Sequence, residues 1–232
     1  MDKDINGLFY KFIPESYTKW DFTYKIGINI DTKPFIIDYD INERDLEPTG
    51  LYLTNVWYLY KYYDYGPILC EVKLCEDSIV VDFYKSECRA NKFNIIRMFD
   101  LRSDSSDDLF QILKKCKEFN WICYFNNINL INKFINKLDY RCIIYILESK
   151  DINIKLIKYL YPSKVSILHE QAISTIVNIE YKKSKKLIKY ILSINYDYIK
   201  EFKELAIWFK KYDVYKYLKH SKSLKLLNPV KS

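Results

Sequence analysis

The chain has 232 residues, of which 49% are hydrophobic and 29% are charged. This balance supports a buried core and excludes a disordered chain. No apolar run reaches the roughly 18 residues of a membrane span, and Asp2 and Asp4 stand where a signal peptide would be basic. Six cysteines without C-x-x-C spacing predict free thiols in a reducing compartment.

Charge is divided unevenly along the chain, whose formal net charge is +7. Residues 1–103 carry 13 basic and 17 acidic groups, whereas residues 104–232 carry 24 basic and 13 acidic groups. The hydrophobic period also changes near residue 104. We therefore predict two domains, an α+β head over residues 1–103 and an all-helical domain over residues 104–232.

Strand patterns dominate the first half, which also holds all four glycines. Tyr24, Ile26, Ile28 and Ile30 alternate with polar residues or glycine, which predicts a strand with one buried face. A short helix is predicted over Val56–Tyr63. Further strands are predicted over residues 50–54, 68–74, 78–84 and 92–101. This mixture is an α+β pattern.

Helical patterns dominate the second half. Ser105 and Ser106 with Asp107 and Asp108 precede an apolar run, which is a helix-start signal. From there to residue 227 no glycine occurs and only Pro162 interrupts, so nearly all of this half is predicted to be helical.

A short motif recurs four times in this half, at spacings of 26, 31 and 27 residues. Each copy is preceded by another apolar helical stretch. The pattern predicts stacked helical hairpins, because one hairpin alone cannot bury its apolar stripe. An irregular helical bundle is the alternative. The copies are Leu130–Phe134, Leu156–Leu160, Leu187–Ile191 and Val214–Leu218.

Two of these copies, Leu156–Leu160 and Leu187–Ile191, resemble the second helix of ankyrin repeats. The T-P-L-H start and the interhelical glycine of that family are missing, so the repeats are degenerate. In the head, five segments follow one another in order: Gly50–Thr54, Tyr65-Gly66, Cys70–Leu74, Cys88–Lys92 and Phe99–Leu101. This series is similar to the head region of ankyrin-repeat proteins of mimivirus-type giant DNA viruses. The resemblance implies a viral protein in the cytoplasm of an infected host cell, or packaged in the virion, that binds a host or viral protein.

Residues with the spacing of an active site are not found. The two histidines, His169 and His220, lie 51 residues apart, and no two glycines lie close together. We therefore predict no enzyme activity, no cofactor and no metal. An acidic stretch is interpreted as a solvated loop, with a cation site as the alternative. It comprises Asp38, Asp40, Glu43, Asp45 and Glu47.

The strand Gly50–Thr54, followed by a short helix and the Glu71-Val72 strand, is similar to the core of ADP-ribosyltransferase-like folds. Such enzymes need a histidine or arginine on an early strand. The first half has no histidine, and its first arginine, Arg44, lies in the acidic stretch. The resemblance therefore implies an inactive head.

Two candidate binding surfaces remain. One is an aromatic segment, which we interpret as a partner interface, with ordinary core packing as the alternative. Its candidate residues are Trp57, Tyr58, Tyr60 and Tyr62. The other is basic, with candidate residues Lys182, Lys183, Lys185, Lys186, Lys210 and Lys211.

The basic surface predicts an acidic protein partner, with a merely solvated face and nucleic-acid binding as alternatives. The sequence as a whole thus predicts a non-enzymatic protein-interaction adaptor. A nucleic-acid-binding protein is the first alternative, and an inactive transferase-like head is the second.

Overall fold

The computed structural model describes residues 7–19, 22–37, 49–84, 86–164 and 170–220. An antiparallel sheet occupies the N-terminal half and helices occupy the C-terminal half, which confirms the α+β class. The chain forms two compact units. The first comprises Met1–Trp121 with Asn129–Lys133, and the second comprises Ile122–Ile128 with Phe134–Ser232. The first unit thus continues past residue 103, where the predicted boundary lies.

The first unit is built on a seven-stranded antiparallel sheet with the order β4-β9-β6-β1-β5-β8-β7, beside a two-stranded ribbon of β2 and β3. The strands are β1 Leu8–Ile13, β2 Thr18–Lys19, β3 Phe22–Thr23, β4 Gly27–Ile30, β5 Leu51–Thr54, β6 Ile68–Lys73, β7 Val80–Tyr84, β8 Glu87–Ala90 and β9 Lys92–Asp100. Four of the predicted strands, β5, β6, β7 and β9, are confirmed.

The central strand, β1, was not predicted. It pairs with β6 from Leu8↔Lys73 to Ile13↔Ile68, and with β5 at Tyr10↔Thr54. Its residues from Phe9 onward are buried on both faces of the sheet. A strand buried on both faces has no polar side to alternate with, which removes the period-2 signal.

The edge strand β4 is in place, but its buried face is not the one that the alternation predicts. Asn29 is buried, whereas Ile26, Ile28 and Ile30 are exposed. The Asn29 amide accepts a hydrogen bond from the backbone of Lys25 and donates to the carbonyls of Lys25 and Gly27, at 2.7–3.0 Å. These bonds compensate for the burial of a polar side chain. The alternation therefore predicts where the strand lies but not which of its faces is buried.

An apolar cluster fills the sheet core, and a second cluster surrounds Trp121. The Trp121 ring packs edge-on against Phe12 at 5.7 Å between centroids and stacks on Tyr63 at 6.4 Å. The predicted helix over Val56–Tyr63 is instead two 3₁₀ segments, Val56–Lys61 and Tyr63–Tyr65. The sheet cluster comprises Phe9, Ile13, Tyr24, Leu51, Leu53, Ile68, Cys70, Val72, Cys88, Ala90, Phe93 and Ile95.

The described residues hold eight α-helices, and the predicted helix start before α1 is confirmed, since Ser106 Oγ accepts the Leu109 N–H. Each repeated motif lies on a helix. Among the described residues, no helix combines the length and the hydrophobicity that a membrane span requires. The helices are α1 Asp107–Leu113, α2 Ile128–Phe134, α3 Arg141–Glu148, α4 Ile154–Lys164, α5 Glu170–Asn178, α6 Tyr181–Ile194, α7 Ile199–Trp208 and α8 Tyr212–His220.

The helices of the second unit pack in two rows. α3 packs against α5 and α5 against α7, while α4 packs against α6 and α6 against α8. Within each hairpin, α3 packs on α4, α5 on α6 and α7 on α8. The buried stripes are spaced by three and four residues, as Leu187, Ile188, Ile191 and Leu192 of α6 illustrate.

Candidate functional site

The end of α7 presents an exposed apolar surface. Trp208 is 80% exposed, and the neighbouring Ile207, Phe209 and Tyr212 are also exposed. Large apolar side chains that are grouped and exposed mark an interaction surface more often than single ones do. No sequence prediction selected these residues.

Trp208 continues a stripe along one face of α7. Glu201, Glu204, Leu205 and Trp208 follow one another at helical spacing, and Glu170 of α5 joins them around a shallow cavity. Phe202 and Ala206, on the opposite face, are fully buried. The stripe therefore combines an indole with three carboxylates. We call these five residues the Trp208 stripe.

The α7–α8 turn holds the apolar surface in place. Lys210 has a φ of 56°, in the left-handed region. Its N–H donates to the Ile207 carbonyl at 3.0 Å, and the Lys211 N–H donates to the Ala206 carbonyl at 2.8 Å. This paired bonding is the Schellman motif, which ends a helix and usually has glycine at the left-handed position.

The predicted basic surface divides between two elements. Lys182, Lys185 and Lys186 are exposed on α6, and Lys183 is half-buried. Within the described ranges, none of these four ammonium groups forms an ion pair. Lys210 and Lys211 lie instead in the α7–α8 turn, where Lys211 Nζ donates to the Asn178 carbonyl at 3.2 Å.

The predicted aromatic surface is partly buried. Trp57, Tyr58, Tyr60 and Tyr62 are all half-buried on the 3₁₀ segments or next to them. Lys117 Nζ lies 5.4 Å from the Trp57 ring and 5.1 Å from the Tyr58 ring. Their assignment to a partner interface stays a prediction.

A cavity of about 380 Å³ lies in the first unit. Lys11, the one charged residue of β1, lines it and is 8% exposed. All of Gly50–Thr54, the segment that resembles ADP-ribosyltransferases, lines it as well. A second sequence signal for this site is the lysine within the apolar run Leu8–Ile13, a pattern that also fits an exposed edge strand.

Several predictions fall outside the described residues. These include the acidic stretch with its loop and cation-site interpretations, Arg44, and His169. His220 ends α8. Among the described residues, no group of three or more His, Cys, Asp or Glu side chains is arranged to hold a metal ion.

Comparisons of the chain with protein-family models, with curated proteins and with solved structures found no match. Function is therefore inferred from the residues themselves.

Proposed function

We propose that the protein is a non-enzymatic adaptor of a giant virus whose helical unit binds a partner protein through the Trp208 stripe. The observation that carries the proposal is the exposure of Trp208, a residue type that dominates the binding energy of many protein interfaces. The proposed location is the cytoplasm of the infected cell, with packaging in the virion as a second possibility.

The two rows of packed helices support a degenerate ankyrin-like stack. The stripe lies on α7 and α5, the first helices of their hairpins. Neighbouring hairpins of such a stack present these helices side by side, so that one partner can contact several of them. The sequence lacks the glycine that ankyrin repeats place between their two helices. In the turn after α7, Lys210 adopts the left-handed conformation that a glycine would favour.

The chemistry of the stripe favours a partner segment rich in lysine or arginine. Glu170, Glu201 and Glu204 line the same shallow cavity as Trp208. A cation is attracted both by the carboxylates and by the face of a tryptophan ring. An acidic partner, as the lysines of α6 predict, would have to bind elsewhere.

Binding of a basic probe to the full chain tests this proposal. An octapeptide of alternating lysine and leucine is titrated while the indole N–H signals are followed by NMR; the Trp208→Ala variant identifies the relevant signal. We expect this signal to shift and the affinity to fall about tenfold or more in Trp208→Ala. Tyr159→Ala removes another exposed aromatic side chain of the second unit and should bind normally.

The same variants are then compared by capture from infected-cell lysate. A protein retained by the wild type and by Tyr159→Ala, but lost with Trp208→Ala and with a Glu201→Gln/Glu204→Gln double variant, would support the adaptor. Equal capture by all four chains, together with an unmoved Trp208 signal, would contradict it.

A second candidate function, nucleic-acid binding, is favoured by Lys182, Lys185 and Lys186, which are exposed together on α6. Duplex and single-stranded DNA are titrated at several salt concentrations. Micromolar affinity that falls steeply with salt and is lost when the three lysines become glutamine would favour this function. The absence of a complex even at low salt would exclude it.

A further inference from the structure

Lys11 is a buried amine that faces a cavity. Its Nζ donates one hydrogen bond, 2.9 Å long, to the Tyr52 carbonyl and lies 5.0 Å from the Tyr24 ring centroid. In the described part of the chain no carboxylate lies within ion-pairing distance of Nζ. Burial of a charge is costly without an ion partner, so the protonated form of Lys11 lacks its usual compensation.

The surroundings lower the pKa of Lys11 to about 7, mainly through desolvation and then through the nearby charge of Lys19, while Cys70 and Glu87 act in the opposite direction. Lys11 therefore changes its charge near neutral pH. Among the described residues, the other titratable groups that line the cavity are Tyr10, Lys19, Tyr24, Asp31, Lys33, Tyr52, Tyr62, Tyr65 and Glu87.

The carboxylates that line the cavity are partly engaged. Both Asp31 oxygens accept backbone N–H groups, from Lys33 at 3.0 Å and from Gly50 at 2.8 Å. Glu87 is close enough to Tyr62 to affect its pKa, which burial chiefly raises. Neither carboxylate contacts Lys11, so an anion of a ligand could pair with the amine.

We propose that this cavity binds a small organic carboxylate with an apolar body, and that the carboxylate pairs with Lys11 Nζ. The volume of about 380 Å³ lies at the small end of ligand pockets, roughly 300–1,000 Å³. Phe22, Tyr24 and Leu53 supply apolar wall for the body of the ligand.

The donor set favours a carboxylate over a phosphate. Phosphate sites usually combine arginine forks or several free backbone N–H groups. Among the described lining residues there is no arginine, and the N–H groups of Lys33 and Gly50 already donate to Asp31. Of the three lysines that line the cavity among the described residues, Lys11 alone is buried, and its ammonium matches the single negative charge of a carboxylate.

Calorimetric titration of the full chain with 2-naphthoate and with its neutral analogue 2-naphthamide tests this proposal. We expect naphthoate to bind about tenfold or more tightly than the amide near pH 6, because only the acid pairs with the ammonium. Between about pH 7 and pH 8 binding should take up a fraction of a proton, since the bound carboxylate raises the pKa of Lys11. Two buffers of different ionisation enthalpy measure this uptake.

The Lys11→Met variant keeps the apolar stem of the side chain and removes its charge. It should lose the preference for the acid, while Lys73→Met, an exposed position on β6, should retain it. Equal binding of acid and amide by the wild type, unchanged preference in Lys11→Met, or no detectable naphthoate binding would each overturn the proposal. The wild-type comparison needs no variant to fold. It is also independent of the adaptor proposal, whose test uses Trp208 in the other unit.

Discussion

Among the described residues of the first unit, three charged side chains are almost completely buried, and they are compensated differently. Glu71 accepts a hydrogen bond from Arg97 Nε at 2.7 Å and so has an ionic partner. Arg89 donates to the Thr49 carbonyl at 2.5 Å and lies over the Phe35 ring. Lys11 has a carbonyl and a ring but no carboxylate among the described residues. A buried charge of this kind costs stability, and functional sites often retain such residues.

Replacing Lys11 by methionine should stabilise the protein, most strongly at low pH. The pKa of Lys11 is about 7 in the folded chain and 10.5 at its ordinary value, so between these values the unfolded chain binds more protons. Wild-type stability should therefore rise with pH across this window, and the cost of Lys11 should be largest below pH 7. We expect a gain on the order of 3 kcal/mol near pH 6 that shrinks towards pH 9.5.

Urea unfolding of wild type, Lys11→Met and Lys73→Met at several pH values measures this gain. Lys73 is exposed, so its replacement should change stability little at any pH. If the free energy of unfolding differs between wild type and Lys11→Met by the same amount from pH 6 to pH 9.5, then Lys11 keeps its ordinary pKa of 10.5.

Replacing Arg97 by methionine should destabilise the first unit by about 2–4 kcal/mol, because it leaves the Glu71 carboxylate buried without its charged partner. A double replacement, Arg97→Met with Glu71→Leu, should recover much of this loss. Urea unfolding at neutral pH gives both values. Equal losses of unfolding free energy in the single and double variants would show that the Glu71–Arg97 ion pair does not determine stability at this position.

At the scale of elements, the turn between α7 and α8 is strained at one residue. Lys210 adopts a φ of 56° that side chains with a Cβ disfavour by about 1–2 kcal/mol. Lys210→Gly should therefore stabilise the second unit by about 1 kcal/mol, as thermal unfolding would measure.

Lys216→Gly, placed inside α8, provides the matched control for that replacement. There the same substitution should destabilise the protein by about 1 kcal/mol, because glycine is a poor helix former. Destabilisation by both variants would contradict the Schellman geometry of the turn.

Most helices could be predicted from the sequence because their burial is one-sided. Half of the strands could be predicted because polar residues or glycine interrupt or bound their apolar runs; Glu71 and Lys73 located β6 although five of its six residues are buried. Ser106 with its acidic neighbours located α1, and the three-and-four spacing located α4, α6 and α8. The strand β1 was missed because its apolar run contains a single charged residue, Lys11, and β8 because it is only four residues long. Hydrophobic alternation carries no information where both faces of a strand are covered.

The candidate sites were harder to predict than the fold. Trp208 lies within Leu205–Phe209, an apolar stretch whose spacing resembles that of core helices. Whether such a side chain is buried depends on which helix packs beside it, and the local sequence does not show this. The cavity beside Lys11 is likewise formed by strands that are distant in sequence.

At the scale of the whole molecule, the six cysteines provide a test of both units at once. All are free; five are buried and Cys75 is partly exposed. Burial raises the pKa of the Cys70 and Cys88 thiols to about 12 and also raises that of Cys116. A thiol reagent should therefore modify Cys75 quickly and the other five only after unfolding.

Counting modified thiols by mass spectrometry, with and without denaturant, checks this prediction, and Cys75→Ser should abolish the fast reaction. Fast modification of two or more thiols in the native protein would contradict the packing described for one of the units. Mapping the modified residues would identify which unit it is.

The two proposed sites belong to different compact units, which predicts independence. Trp208→Ala should leave naphthoate binding unchanged, and Lys11→Met should leave peptide binding unchanged. The two titrations already described measure both effects. A change in either direction would mean that the sites are energetically coupled.

The position of β1 has a consequence for how the first unit is assembled. It stands between β6 and β5, so residues 8–13 join the three strands β4-β9-β6 to the three strands β5-β8-β7. The strand β1 cannot pair until partners more than 40 residues further along the chain have been synthesised. Trimming the chain back to residue 14 would not shorten an edge of this sheet but would divide it through the middle.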